Sequence, residues 1–205
     1  MARPRTGIEP RILTAARRHF RKRGVEASTL RAIARDARTS IGMIYYYYPT
    51  KDELFFAVVE ETYQKMLADL EHLLAPETTV NERLGRIFER FAQVSDDEVE
   101  MLRLVAQEGL LQSARFERLV QRFLRGHVPL VLKTVVDGVH DGTLDAARHP
   151  VVLFLATLCL AGPPQLIRRA LGERLPVPGA PSGTALAHTL VDVLLHGIAP
   201  STARN

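Results

Sequence analysis

A single cysteine in 205 residues excludes an internal disulfide. Set between Leu158 and Leu160, Cys159 reads as a buried, inert thiol. The longest apolar run, Val151 to Ala161, is too short to cross a bilayer, and the opening MARPRTGIEPR is basic but lacks the apolar centre of a secretory signal. Neither export nor a membrane is expected, and a cytoplasmic location fits the cysteine count. The seven histidines are dispersed, and no His-Glu-x-x-His, Cys-x-x-Cys, phosphate-loop or nucleophile-elbow pattern occurs. No catalytic residue, metal ligand or cofactor site is therefore expected. His140-Asp141 is the one adjacent acid-base pair of note, and Gly142 makes it a turn first. Repeats, low-complexity segments and a convincing alternating strand are likewise missing.

What is present is apolar residues at helical spacing and an uneven charge. At 46% hydrophobic, the chain is able to bury one sizeable core, or a small domain joined to a larger one. The net charge of +4 hides an asymmetry: residues 1–50 hold 11 Lys/Arg against 3 Asp/Glu, and the remainder hold 16 against 20. A cationic amino-terminal third suits a phosphate backbone, and Arg3 and Arg5 ahead of the first helix suit a basic arm. Arg17, Arg18, Arg21, Lys22 and Arg23 also fit a merely solvated helix face.

The stretch from Ser28 to Leu54 decides between these readings. Ser28 or Thr29 caps a short helix whose apolar positions Leu30, Ile33, Ala34 and Ala37 share one face, with Arg31 and Arg35 outside. Arg38-Thr39 interrupts the pattern. Ser40 then caps a second helix, Ile41 to Tyr48, in which Ile44 and Tyr48 pack, and Thr50-x-x-Glu53 starts a third. Two short helices joined by a tight turn form a helix-turn-helix, which places its second helix in the DNA major groove. Thr29, Arg31, Ser40, Tyr46, Tyr47 and Lys51 are expected mainly at phosphates, because hydroxyls, cations and helix amino termini all suit anions. Ile41, Gly42, Met43 and Tyr45 are expected toward base edges, with Tyr45 also packing. None of those four carries a bidentate fork, so readout leans on thymine methyls, single hydrogen bonds and DNA shape.

These residues resemble the DNA-binding domain of the tetracycline-repressor family of bacterial transcription regulators. The resemblance rests on AARRHFRKRG (Ala15 to Gly24), Thr29, Ile33-Ala34, Ser40, Gly42, Tyr45-Tyr46-Tyr47 and Lys51-Asp52-Glu53-Leu54. One departure is Arg38, where the family usually has glycine in the turn between the helices. The resemblance implies an all-α chain with a DNA-binding domain over residues 6–55 and a helical effector-binding and dimerisation domain over 56–200.

Beyond the capping box, helices are expected at Leu54–Leu74, Thr79–Val94, Glu98–Gln112, Ala114–Val139, Pro150–Ala170 and Thr184–Ile198, with a loop across Pro176–Gly183. Pro163-Pro164 should break or kink the penultimate one. The last two helices carry broad apolar faces: Val151, Leu153, Phe154, Leu155, Leu158, Leu160 and Leu166 on one, and Leu186, Leu190, Val193 and Leu194 on the other. The resemblance gives them the role of a homodimer interface, although packing within the chain explains some of them in any case.

Between these regions lie Phe88, Phe91, Met101, Leu102, Val105, Phe116, Phe123 and Phe154, a stripe that is ordinary core on its own. The resemblance makes it the lining for an apolar or amphipathic small-molecule effector, with Gln107, Glu108 and Gln165 as polar contacts. Two functions stay open: a repressor released from double-stranded, palindromic operator DNA by a ligand, and an architectural DNA-binding protein with no effector.

Overall fold

The computed structural model describes residues 7–75, 78–171, 179 and 181–198. Arg3 and Arg5 and half of the Pro176–Gly183 loop lie outside the described residues. Every regular element among the described residues is an α-helix. They are α1 (Ile8–Arg23), α2 (Leu30–Asp36), α3 (Ile41–Tyr47), α4 (Lys51–Leu73), α5 (Val80–Ala92), α6 (Asp96–Leu110), α7 (Ala114–Leu124), α8 (His127–His140), α9 (Pro150–Ala161), α10 (Pro163–Leu171) and α11 (Gly183–His196).

Two compact units form, and they do not follow chain order. The first takes the residues up to Met66 together with Asp96–Gln121, and the second takes Leu67–Ser95 together with everything from Arg122 onward. The boundary thus falls inside α4 and inside α7.

In the first unit, α1 buries Ile12, Leu13, Ala15, Ala16 and Phe20 and stops at Gly24, whose φ of +74 turns the chain while its N–H donates to the Phe20 carbonyl. The Phe20 ring meets Phe55 of α4 edge-on at 6.1 Å. Arg17 on α1 bonds Glu61 on α4 at 2.8 Å and reaches Asp97 on α6 at 3.5 Å, which brings the start of α6 against the amino-terminal helices.

The second unit is built round Leu84, Ile87 and Phe88 of α5, Val131 and Val135 of α8, Leu153 of α9 and Ala187 of α11. A full capping box opens α5, with Thr79 and Glu82 exchanging bonds. Arg83 of α5 binds Asp137 of α8 at 2.7 Å. Their helices approach closely where α8 has no side chain, since a Cβ on Gly138 would lie 2.9 Å from Val80 Cγ1.

Two expectations need correction. The helix expected over Ala114–Val139 is two helices, because Gly126 leaves helical geometry (φ −115, ψ −110) and Pro129 has no N–H for the carbonyl of Arg125. Cys159 is exposed rather than buried, because it follows Val151 and Leu155 at helical spacing on the outer face of α9. Leu190 and Leu194 of α11 pack, partly buried, on the core of their own unit. The break at Pro163-Pro164 is present as expected, with α9 ending before it and α10 beginning at it.

Candidate nucleic-acid interface

The α2–α3 pair is assembled from short-range bonds. Ser28 is buried and its hydroxyl donates to the Gly24 carbonyl at 2.7 Å, fixing the loop ahead of α2. Thr29 is extended (φ −109, ψ 140) and its Oγ1 accepts from Ala32 N at 3.2 Å. Arg31 and Arg35 are exposed on the outer face of α2. The turn closes with Thr39 N donating to the Ala34 carbonyl and with Arg38 at φ +51, the left-handed conformation that glycine adopts without strain. Ser40 Oγ accepts from Met43 N at 3.2 Å and opens α3.

On α3 the inner face is Ile44, fully buried, followed by Tyr48, whose hydroxyl donates to Glu9 Oε1 at 3.2 Å. The outer face carries Gly42, Tyr45 and Tyr46, the two tyrosines being 50% and 55% exposed, with Ile41, Met43 and Tyr47 half-buried beside them. Tyr46 and Tyr47 meet edge to face at 5.3 Å. A Cβ on Gly42 would meet only Ser40 Oγ, at 3.7 Å, so the fold itself does not require glycine there.

The surrounding charge is partly committed within the unit. Arg18 and His19 both bond Asp36 at the end of α2, at 2.9 and 2.7 Å, and the His19 bond, then the Arg18 bond, hold the Asp36 carboxyl below its ordinary pKa. Arg21, Lys22 and Arg23 are exposed on the last turn of α1. Lys51, at the first position of α4, is turned inward: its ammonium donates to the carbonyls of Val25 at 2.9 Å and Glu26 at 3.1 Å. The sequence did not flag Arg115, which reaches Glu26 and Asp52 on either side of α2–α3 and Glu108 on α6. Its partners lie up to 89 positions away, so no local pattern could have announced them.

The ten residues expected to line an effector site divide between the units. Met101, Leu102, Val105, Gln107 and Phe116 belong to the first, where Met101 is buried and Gln107 exposed. Phe88, Phe91, Phe123, Phe154 and Gln165 belong to the second, where Phe88 is core and Phe91 and Phe154 pack against it. Gln165 is already engaged, donating to the Gly183 carbonyl at 2.8 Å and accepting from Arg168 Nε. Glu108 is buried and accepts from Ser113 Oγ and Arg115 Nε. Among the described residues no cluster of His, Cys, Asp or Glu is suited to a metal ion.

Residues 12–58 match the family described as bacterial regulatory proteins, tetR family. The chain is similar to the HTH-type transcriptional repressor SCO4008 of Streptomyces coelicolor, 30% identical over 156 residues that make up 75% of this chain and 77% of that one. It is also similar to the HTH-type nicotine-responsive transcriptional repressor HdnoR of Paenarthrobacter nicotinovorans, 30% identical over 92 residues, a match that spans 44% of this chain and about half (47%) of that repressor. Among solved structures, the transcriptional regulator FadR from Bacillus subtilis, in complex with stearoyl-CoA, superposes with a TM-score of 0.74 at 15% identity, covering 93% of this chain and 99% of that one.

Proposed function

The chain belongs to the tetR family of bacterial regulatory proteins and is a sequence-specific DNA-binding transcription regulator, and from that premise we propose how it works: as a repressor, held on a palindromic operator by two copies of α3 and released by a small molecule. The observation that carries this reading is the outer face of α3, where Tyr45 and Tyr46 stand exposed on a helix whose inner face is sealed by Ile44 and Tyr48. Aromatics half exposed on a seven-residue helix bury little surface in the fold. Against a duplex they reach base edges and phosphates.

In this reading Ile41, Gly42, Met43 and Tyr45 face base edges, and the open space at Gly42 lets the α3 backbone approach the groove floor. Thr29, Arg31, Ser40, Tyr46 and Tyr47 face phosphates. Lys51 serves them from behind by holding the loop that leads into Thr29. Regulators of this family act as dimers, and the half-exposed stripe of Val151, Val152 and Leu155 on α9, with Ile167 on α10, supports a two-fold partner on that face. A dimer presents two recognition helices to two half-sites about one helical turn apart.

The effector is an apolar or amphipathic small molecule taken up by the helices that follow the DNA-reading element. The similarity to a nicotine-responsive repressor supports a small organic ligand. Selection from a random DNA pool should return a palindrome bound roughly 10³-fold or more tighter than random duplex. Calorimetry with that operator then tests release: an effector that weakens operator binding 30- to 150-fold must itself bind about 30- to 150-fold more weakly to the operator complex. A ratio near unity between selected and random DNA would favour the architectural reading instead.

A further inference from the structure

Arg115 has one guanidinium and three carboxylates round it. Its Nε donates to Glu108 Oε2 at 2.8 Å, one terminal nitrogen donates to Asp52 Oδ1 at 2.8 Å, and the other donates to Glu26. Glu26 lies in the loop before α2 and Asp52 in the first turn of α4, so the two partners stand immediately outside the two ends of the helix-turn-helix. Both ends of the DNA-reading element are therefore gripped by a single side chain that belongs to neither.

The grip is rigidly mounted. Glu108 is buried and also accepts from Ser113 Oγ at 2.5 Å, while the same Ser113 oxygen accepts from Phe116 N at 3.1 Å and opens α7. Gln112 takes a left-handed φ of +49 to make the turn, and the Phe116 ring packs where a Cβ on Gly109 would be 3.0 Å away. The face of α7 toward α4 continues the contact: Arg115 lies 5.9 Å from the Phe55 ring centre, and Arg118 stands over the Phe56 ring at 3.9 Å. Lys51 adds a second cation near Glu26, at 3.5 Å. Three carboxylates sharing one guanidinium cannot keep this arrangement once it is removed, because Glu108 would be left as a buried charge with only the Ser113 hydroxyl beside it while Glu26 and Asp52 lose their common partner.

We infer that Arg115 is the positioning residue of the DNA interface, through which the α6–α7 turn sets the stance of α2 and α3, so that displacement of that turn is passed to both ends of the helix-turn-helix at once. The inference rests on the reading of α2–α3 as the DNA-binding element and adds the route by which its stance is controlled.

The test uses the full chain with Arg115→Met, which keeps the stem and loses the fork, and Glu26→Gln, an exposed change that the fold tolerates. Amide exchange of the free protein should quicken on the order of tenfold in residues 24–29 and 48–52 in the Met variant, with α8 and α11 unchanged. Operator affinity should fall on the order of tenfold with the slope against salt unaltered, because Arg115 meets no phosphate. Glu26→Gln should give a smaller loss, and the double variant less than the product of the two. A lower melting temperature with unchanged exchange at both ends, or operator affinity within twofold of the parent, overturns the inference. Should Arg115→Met fail to fold, Glu26→Gln and Asp52→Asn carry the same two measurements. A parent protein that selects no DNA sequence would overturn the regulatory mechanism proposed above, and the exchange data would still judge Arg115.

Discussion

Lys51 illustrates how much a single side chain's surroundings change its role. An exposed lysine at a helix start beside the tyrosine run suits a phosphate, yet here the ammonium spends two of its three donors on the carbonyls of Val25 and Glu26. Those carbonyls belong to the loop that ends at Thr29, the cap of α2. Lys51→Ala should lower the stability of the protein by about 1 to 2 kcal/mol, read by denaturant unfolding. It should also weaken specific and random DNA alike. The salt dependence separates the two origins: a slope flatter by about one counterion assigns Lys51 to a phosphate, and an unchanged slope with reduced stability assigns it to the loop, the outcome its geometry favours. Arg38 shows the converse, a feature visible in the sequence and retained in the fold. Its φ of +51 keeps the family's turn without the family's glycine, because Ala34 and Arg35 carbonyls still find donors in Thr39 and Arg38.

At the scale of elements, α9 and α11 carry similar apolar patterns and bury them differently within the subunit. Along α9, Leu153 and Thr157 point to the core, while Val151, Val152, Leu155 and Cys159 point away. Along α11, Ala187 is buried and Leu190, Val191, Leu194 and Leu195 lie on the core shared with α5. Substitutions on the two helices should therefore fail in different ways. Leu155→Asp should cost less than about 1 kcal/mol of subunit stability but shift the protein toward monomer, seen in sedimentation and in weaker binding to palindromic DNA. Leu190→Asp should instead destabilise the subunit itself by roughly 2 to 5 kcal/mol, seen in its melting. An intact dimer in the Leu155→Asp variant would move the interface off α9. The division could not be read from sequence because α9 is apolar nearly all round, and periodicity only sorts faces where polar residues mark one of them.

For the molecule as a whole, acid should act in two stages of the same sign. His127 is held down to a pKa of about 4, by burial first and then by the charge of Arg122. Between about pH 6.5 and 4 the unfolded chain takes a proton at this site that the folded one refuses, so stability falls as pH falls through that range. Glu26 and Asp137 are also held below their ordinary values, Glu26 by its Arg115 bond and Asp137 by its bonds from Lys133 and then Arg83. Their contribution is complete above the usual carboxylate range and is lost as pH drops below it. Chemical denaturation across pH 4 to 7 should show the first stage at roughly 1 to 3 kcal/mol, and His127→Gln should flatten it while leaving the second.

The DNA-reading element was legible from the chain alone because the caps, turn and periodic faces that form its helices are local. Thr29 and Ser40 accept from N–H groups three residues on, Leu30, Ile33, Ala34 and Ala37 repeat at helical spacing as do Ile44 and Tyr48, and Arg38 takes the turn; none of these depends on a distant partner. The all-helical fold class and the break at Pro163-Pro164 were legible for the same reason. The break between α7 and α8 was written there too, in Gly126 and Pro129, but under an apolar periodicity that runs through both. Whatever depends on residues far apart in the chain was settled by folding. Arg115 is an arginine like any other until folding sets Glu26, Asp52 and Glu108 round it, and Cys159 is buried or exposed only according to which face of α9 meets α11. Caps, turns and periodic faces act over three to five residues and leave a mark at that range; electrostatic hubs and the choice of buried face arise from closing loops of tens of residues, and no short pattern encodes them.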